Sequence, residues 1–239
     1  LNVDHLQLLG KNGGATVDKL NLEGKKFKID FRHQEMGDQF QELTQLLELE
    51  RNRLGVISGL ERTDLNVNVQ LSPSRSFLYS TMKADSPNGG ASREQLTYAD
   101  PKLQISMNSR EVDPNFANVG MLVDPEKEFL SAMRGFQQRD VKASWQISPN
   151  LKFDAYLLDS GSESLDQTRY IRNYQLAFKP DKLSNIVARR FEERNDDPMS
   201  LLFANATEFL SLNRDFGRFG KLSVLMENKD FECQNSVFF

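Results

Sequence analysis

Strict alternation of apolar and polar residues constrains this chain more than any other feature. In Leu65 to Ser72 (LNVNVQLS), Leu65, Val67, Val69 and Leu71 fall on one side, and Asn66, Asn68, Gln70 and Ser72 on the other. Val141 to Ser148 (VKASWQIS) sets Val141, Ala143, Trp145 and Ile147 against Lys142, Ser144, Gln146 and Ser148. Leu151 to Leu157 (LKFDAYL) sets Leu151, Phe153, Ala155 and Leu157 against Lys152, Asp154 and Tyr156. Side chains of a strand point to opposite faces with period two, so each segment reads as a one-sided strand. Shorter examples are FKIDF, LQISM, YQLAF and KLSVLM.

These strands come as hairpins. Gly59 to Phe77 lines up without gaps on Gly135 to Phe153, matching Gly59 with Gly135, Asp64 with Asp140, Gln70 with Gln146 and Ser72-Pro73 with Ser148-Pro149. Ala177 to Ser184 (AFKPDKLS) is a looser third copy of the turn. Proline presets φ for a turn and cannot donate to a ladder, so it marks the bend. Duplication and convergence on a good turn both explain the match.

The connections alternate between short and long. Short ones are Lys11 to Gly14, Ser72 to Arg75, Ala99 to Lys102, Ser148 to Asn150, Pro180 to Lys182 and Arg214 to Gly220. Long ones are Gln34 to Arg62, Asp85 to Ser92, Val112 to Arg139, Ser160 to Thr168 and Asn195 to Ser200. This spacing predicts a mainly β chain: an antiparallel up-and-down meander of about twelve strands in one domain, Leu1 to Phe239, either an open meander or a barrel. Two long connections carry helical signals. Gly37 to Arg53 spaces Phe40, Leu43, Leu46 and Leu47 for a helix that packs on the sheet. Asp124 to Phe136 opens with Asp, Pro and Glu and then aligns Phe129, Met133 and Phe136.

Composition narrows the function classes. Hydrophobic residues make up 38% of 239, which suits sheets with one polar face per strand. Net charge is −4 with both signs spread along the chain, so no basic stripe is offered to nucleic acid. The single cysteine, Cys233, makes neither an intramolecular disulfide nor a thiolate metal site. No apolar run approaches the ~18 residues of a transmembrane helix. The opening LNVDH reads as a mature form or a trimmed fragment.

Strands of this length, with short turns at one end and longer loops at the other, resemble Gram-negative outer-membrane β-barrels. WQISPNLKFDAYLLDSGS (Trp145 to Ser162) and YQLAFKPDKLSNIVARRFEERNDD (Tyr174 to Asp197) are similar to the periplasmic-turn hairpins of such proteins. The resemblance implies membrane lipid as a partner, short turns facing the periplasm, a structural or pore role, and a bacterial outer-membrane location. The lumen-facing residues would then include Asn66, Asn68, Gln70, Lys142, Ser144, Gln146, Lys152 and Asp154.

Some segments depart from that pattern. Arg189 and Arg190 fall on both faces of one strand, and a lipid-facing Arg at mid-bilayer costs roughly 2–4 kcal/mol. A periplasmic or secreted β-protein that binds an envelope partner or an apolar ligand accommodates those charges. Its strand pattern is the same, because core-facing and lipid-facing rows both have period two.

Chemical constellations are sparse. The two histidines, His5 and His33, lack a Cys partner and HExxH spacing, so neither zinc nor another cofactor is expected. A hydrolase would require a nucleophile beside one of them. KNGG lacks a following GK[ST] and reads as a hairpin turn, and Asp85 to Ser92 reads as a flexible loop. Glu192, Glu193, Asp196 and Asp197 read as a solvated loop, and Arg51, Arg53, Arg62, Arg139, Arg189 and Arg190 as ordinary surface charge among Glu and Asp.

Overall fold

A computed structural model describes residues 1–10, 13–37, 59–116, 135–162, 167–195 and 202–233. The strands are β1 (Asn2–Gly10), β2 (Gly13–Glu23), β3 (Phe27–Met36), β4 (Glu61–Ser72), β5 (Arg75–Ser86), β6 (Gly89–Ala99) and β7 (Leu103–Val112). They continue as β8 (Phe136–Ser148), β9 (Leu151–Ser162), β10 (Gln167–Phe178), β11 (Ser184–Asn195), β12 (Leu202–Asp215) and β13 (Lys221–Cys233). Their order in the sheet is the order in the chain, and the registers within β1–β5 and within β9–β13 are antiparallel throughout. Among the described residues the one helical element is a 3-10 turn, Gly217–Phe219.

The predicted meander is what forms, with two differences. The thirteenth strand arises because Gly24-Lys25-Lys26 is a turn, closed by Gly24 N–H donating to Phe27 O at 2.9 Å. Asp85 to Ser92 is a tight hairpin instead of a loop: β5 runs to Ser86, β6 starts at Gly89, and the Ser86 hydroxyl donates to Gly89 O at 2.9 Å. Among the described residues the sheet is not closed into a barrel: β1 and β13 stand at the two ends of the strand order.

The predicted helix of Gly37 to Arg53 and most of that of Asp124 to Phe136 lie outside the described residues. Phe136 is instead the first residue of β8.

The offset that carries Gly59 onto Gly135 runs through four strands. It carries the starts of β2, β3 and β5 (Gly13, Phe27 and Arg75) onto the starts of β6, β7 and β9 (Gly89, Leu103 and Leu151). The ends match too: Glu23 with Ala99, Met36 with Val112, Ser72 with Ser148 and Ser86 with Ser162. Hydrogen bonds follow. Gly37 N–H donates to Gly14 O and Asp113 N–H to Gly90 O, both at 2.9 Å. Gln70 N–H donates to Lys26 O at 2.6 Å and Gln146 N–H to Lys102 O at 2.7 Å. The sequence carries the signal as Asn12-Gly13-Gly14-Ala15 and Asn88-Gly89-Gly90-Ala91.

The chain divides into two compact units, Leu1–Thr97 with Asn108–Gln137, and Tyr98–Met107 with Gln138–Phe239. The first holds two buried clusters. Ala15, Val17 and Met36 pack with Leu6 and Leu8, and Leu60, Met82, Ala84, Ala91, Val112 and Phe116 form the other. Under the same offset Leu6, Leu8, Ala15 and Met36 correspond to Met82, Ala84, Ala91 and Val112. One packing solution is thus used twice. In the second unit Leu158, Ser162 and Ser184 are buried, while Lys221 to Asp230 of β13 are exposed throughout.

Candidate functional site

Cross-strand partners lie on one face of a sheet, so the registers sort side chains into rows. In the second unit, Leu151, Phe178, Ile186, Leu212 and Val224 form a first row beside the short turns. Phe153, Leu176, Ala188, Leu210 and Met226 form the next. The third, Ala155, Tyr174, Arg190, Glu208 and Asn228, brings charge onto the same face. The first unit has a comparable band: Phe27, Val69 and Phe77, then Leu22, Ile29, Val67 and Tyr79, then Leu20, Phe31, Leu65 and Thr81.

The apolar rows of the second unit hold an open trough of about 500 Å³. Its floor follows the second row. The methyl group of Ala188 lies between the longer side chains of Leu176 and Leu210, and this low point makes the depression. Phe153 and Met226 lie at the ends of the row. Arg190, Glu208 and Asn228 form one rim. Arg190 bonds the Glu192 carboxylate and reaches Glu208 at 3.4 Å. The hydrogen bond and charge of Glu192, with Glu208 adding to them, hold the Arg190 pKa above its ordinary value. Leu176 and Leu210 are 41% and 44% exposed, so this is apolar surface open to a ligand and not a closed core.

The opposite face mixes charge with aromatics. Arg189 lies 5.6 Å from the Phe191 ring centre and 5.9 Å from that of Phe209, and its Nε donates to Asn173 Oδ1 at 2.8 Å. Arg189 and Arg190 therefore do occupy opposite faces.

Residues predicted to line a lumen fall into two groups. In the first unit Asn66, Asn68 and Gln70 share an exposed face with Lys28 and Asp30. Asn66 Oδ1 accepts from the Ser80 hydroxyl at 2.6 Å and borders a polar basin with Asp4, Lys19, Arg32 and Asp64. Arg62 grips Asp64 with two bonds of 2.8 and 2.9 Å at that basin. In the second unit Lys152 pairs with Asp154 at 2.8 Å, Lys142 lies over the Tyr156 ring at 5.4 Å, and Ser144 is half-buried. Gln70 and Gln146 serve the turns. Gln70 Nε2 donates to Ser72 O and, at 3.2 Å, to Arg75 O. Gln146 Nε2 donates to Ser148 O at 2.7 Å and Leu151 O at 3.4 Å.

His5, Asp18, His33 and Thr63 form a single row. His5 Nδ1 lies 2.5 Å from Asp18 Oδ1, and His33 Nδ1 3.1 Å from Thr63 Oγ1. A hydroxyl thus does stand beside a histidine. Among the described residues no group of three or more His, Cys, Asp or Glu is placed to hold a metal ion.

The trough and its rim form a concavity on the apolar face of the second unit. No family model, curated protein or solved structure matches this chain. What the trough can hold follows from its own chemistry: an apolar floor, one charged rim and an open top.

Proposed function

We propose that the protein is a binding module whose apolar trough on β9–β13 takes a flexible hydrocarbon chain. The depth of the apolar rows carries this reading. Two residues along a strand advance about 6.7 Å, so the rows from Leu212 to Glu208 span about 13 Å. A lipid-facing band is about 25 Å tall, and charge enters this face at half that depth. An acyl-type chain lying along Leu176, Ala188 and Leu210 covers exposed apolar surface, worth about 25 cal/mol for each Å² removed from water. It leaves Arg190 and Glu208 in solvent. Such a module suits the cell envelope or the extracellular space, where membrane-derived amphiphiles are at hand.

The test is titration with a fluorescent fatty acid, cis-parinaric acid, against wild type and Ala188→Trp. Saturable binding to wild type that is lost in Ala188→Trp supports the trough. Equal binding by both sinks it.

A second reading, the wall of an outer-membrane barrel with a structural or pore role, is favoured by one observation. Apolar rows recur next to the short turns on hairpins of both units, and Trp145 is 47% exposed. Refolding with and without detergent separates the two readings. A β-sheet spectrum without detergent favours the binding module, and one that forms only in detergent favours the barrel wall.

A further inference from the structure

We propose that the short-turn end of the second unit docks on an anionic lipid bilayer, with Phe216 and Phe219 entering the headgroup layer and a group of lysines and arginines meeting the lipid phosphates. The docking stands on the β10–β11 and β12–β13 turns and does not require the trough to bind anything.

The two turns form one surface. Asp215 N–H donates to Leu183 O at 2.8 Å, which ties the end of β12 to the β10–β11 turn. That turn is joined in the same way to the β8–β9 turn, by Lys179 N–H donating to Asn150 O at 2.8 Å. Apolar side chains project from this end: Phe216, Leu183 and Phe219 are 46%, 56% and 80% exposed. The turn that carries the two phenylalanines is held in place. Gly217 N–H donates to Asp215 Oδ1 at 2.7 Å and Phe216 N–H to Gly220 O at 2.9 Å, with Gly217 and Gly220 at φ 62° and 106°. Exposed apolar groups gathered in one patch and rimmed by charge mark an interaction surface.

Charge selects the partner. Lys179, Lys182, Arg214, Arg218 and Lys221 stand on or beside these turns against Asp181 and Asp215, in a chain whose net charge is −4. Both carboxylates are engaged by the backbone, accepting from Leu183 N–H at 2.8 Å and from Gly217 N–H at 2.7 Å. Among the described residues Lys221 is the one cation of the five that pairs with a carboxylate, Asp215 at 3.7 Å. Arg214 and Arg218 lie over the Phe216 and Phe219 rings, 5.4 and 4.8 Å from their centres, so charge and apolar surface sit together. An anionic lipid surface attracts Lys and Arg within a Debye length, and interfacial binding grows with that attraction and with the apolar area buried. A nucleic acid would engage the cations and leave the phenylalanines in water, whereas a headgroup layer takes both. Only the turn tips enter it, so Trp145, on β8 three residues before Ser148, stays clear of the acyl chains.

The experiment is flotation of the full chain with vesicles of phosphatidylcholine, alone or with roughly one-third phosphatidylglycerol. The wild type should float with the mixed vesicles and not with phosphatidylcholine alone, and high salt should weaken its binding. Phe216→Ser combined with Phe219→Ser should weaken binding about tenfold, and so should Lys179→Gln combined with Lys182→Gln and Arg218→Gln. Arg218→Lys should bind as wild type does. The substituted side chains are all exposed, so circular dichroism and the thermal midpoint should not change. A wild type that ignores the mixed vesicles, or binds both kinds equally, overturns the proposal. So does full binding by the phenylalanine variant, which would mean adsorption by charge alone, as an acidic protein partner would also allow. Association that resists high salt and alkaline carbonate marks an integral barrel wall and overturns it too. Ala188→Trp tests the trough separately. It should float as wild type does whether or not it binds cis-parinaric acid, and lost flotation there moves the contact to the trough and overturns the tip.

Discussion

Gln70 and Gln146 clamp their turns in the same way: each side-chain amide donates to the carbonyl of the serine that follows it in its strand, Ser72 or Ser148, and to that of the residue opening the next strand. Ser72 and Ser148 complete both turns, their hydroxyls accepting from Ser74 N–H and Asn150 N–H, each at 3.4 Å. A polar residue on a strand's solvent face is here part of the bend. Gln70→Ala and Gln146→Ala should each cost about 1 kcal/mol, the net worth of an ordinary hydrogen bond. The two hairpins share no partner, so the double variant should lose the sum. Urea unfolding midpoints check both statements.

Glycine is required where the backbone turns left-handed. Gly59 and Gly135 open the approach to β4 and β8 at φ 71° and 66°. Alanine at either should cost about 1–2 kcal/mol from the clash of Cβ with the following carbonyl. Gly89 is less tolerant. Its φ is 111°, and an added Cβ would stand 2.9 Å from Asp113 Cβ. Gly89→Ala should therefore lower the thermal midpoint more than Gly59→Ala, which differential scanning calorimetry compares directly.

The β10–β11 turn should respond to acid. The Ser184 hydroxyl and the Leu183 N–H, the latter at 2.8 Å, hold the Asp181 carboxyl below the usual carboxylate range. A depressed folded pKa contributes stability that is complete above the unfolded value, about 3.9, and lost as pH falls through the folded value. Wild type should exceed Asp181→Asn in stability near neutral pH, and the gap should close below about pH 4. A gap that stays constant across that range removes Asp181 as the cause.

The trough predicts a size series. Ala188→Leu should weaken parinarate binding partially and Ala188→Trp abolish it, since each fills the low point between Leu176 and Leu210. Arg190→Gln should leave binding within about threefold, because Arg190 is exposed and already paired with Glu192 and Glu208. A larger loss in Arg190→Gln than in Ala188→Trp would point to a ligand held by its head group.

Trp145 is the single tryptophan, 47% exposed, and alternates along β8 in step with Val141, Ala143 and Ile147. Its fluorescence should be unaffected by vesicles containing brominated lipid. Strong quenching would instead place this row in the bilayer and favour the barrel wall.

Strands and turns were legible in the residues alone. Period-two alternation leaves each segment one stable partner arrangement, and Ser-Pro or Asn-Gly marks where the chain reverses. The turn at Gly24 went unread because Gly-Lys-Lys carries neither mark, and the hairpin at Pro87-Asn88 read as a loop because glycines follow it. The repeat offset was legible beyond one hairpin, in the paired NGGA segments, but substitutions between the copies hide it from a search for identity. What the apolar rows meet was not in the sequence, since lipid, ligand and protein core all impose the same period. It took the registers to set Ala188 between Leu176 and Leu210 and to put Arg190 on their face. A register is a relation between separate strands, fixed by how their hydrogen bonds and side chains fit together, and no local pattern specifies it.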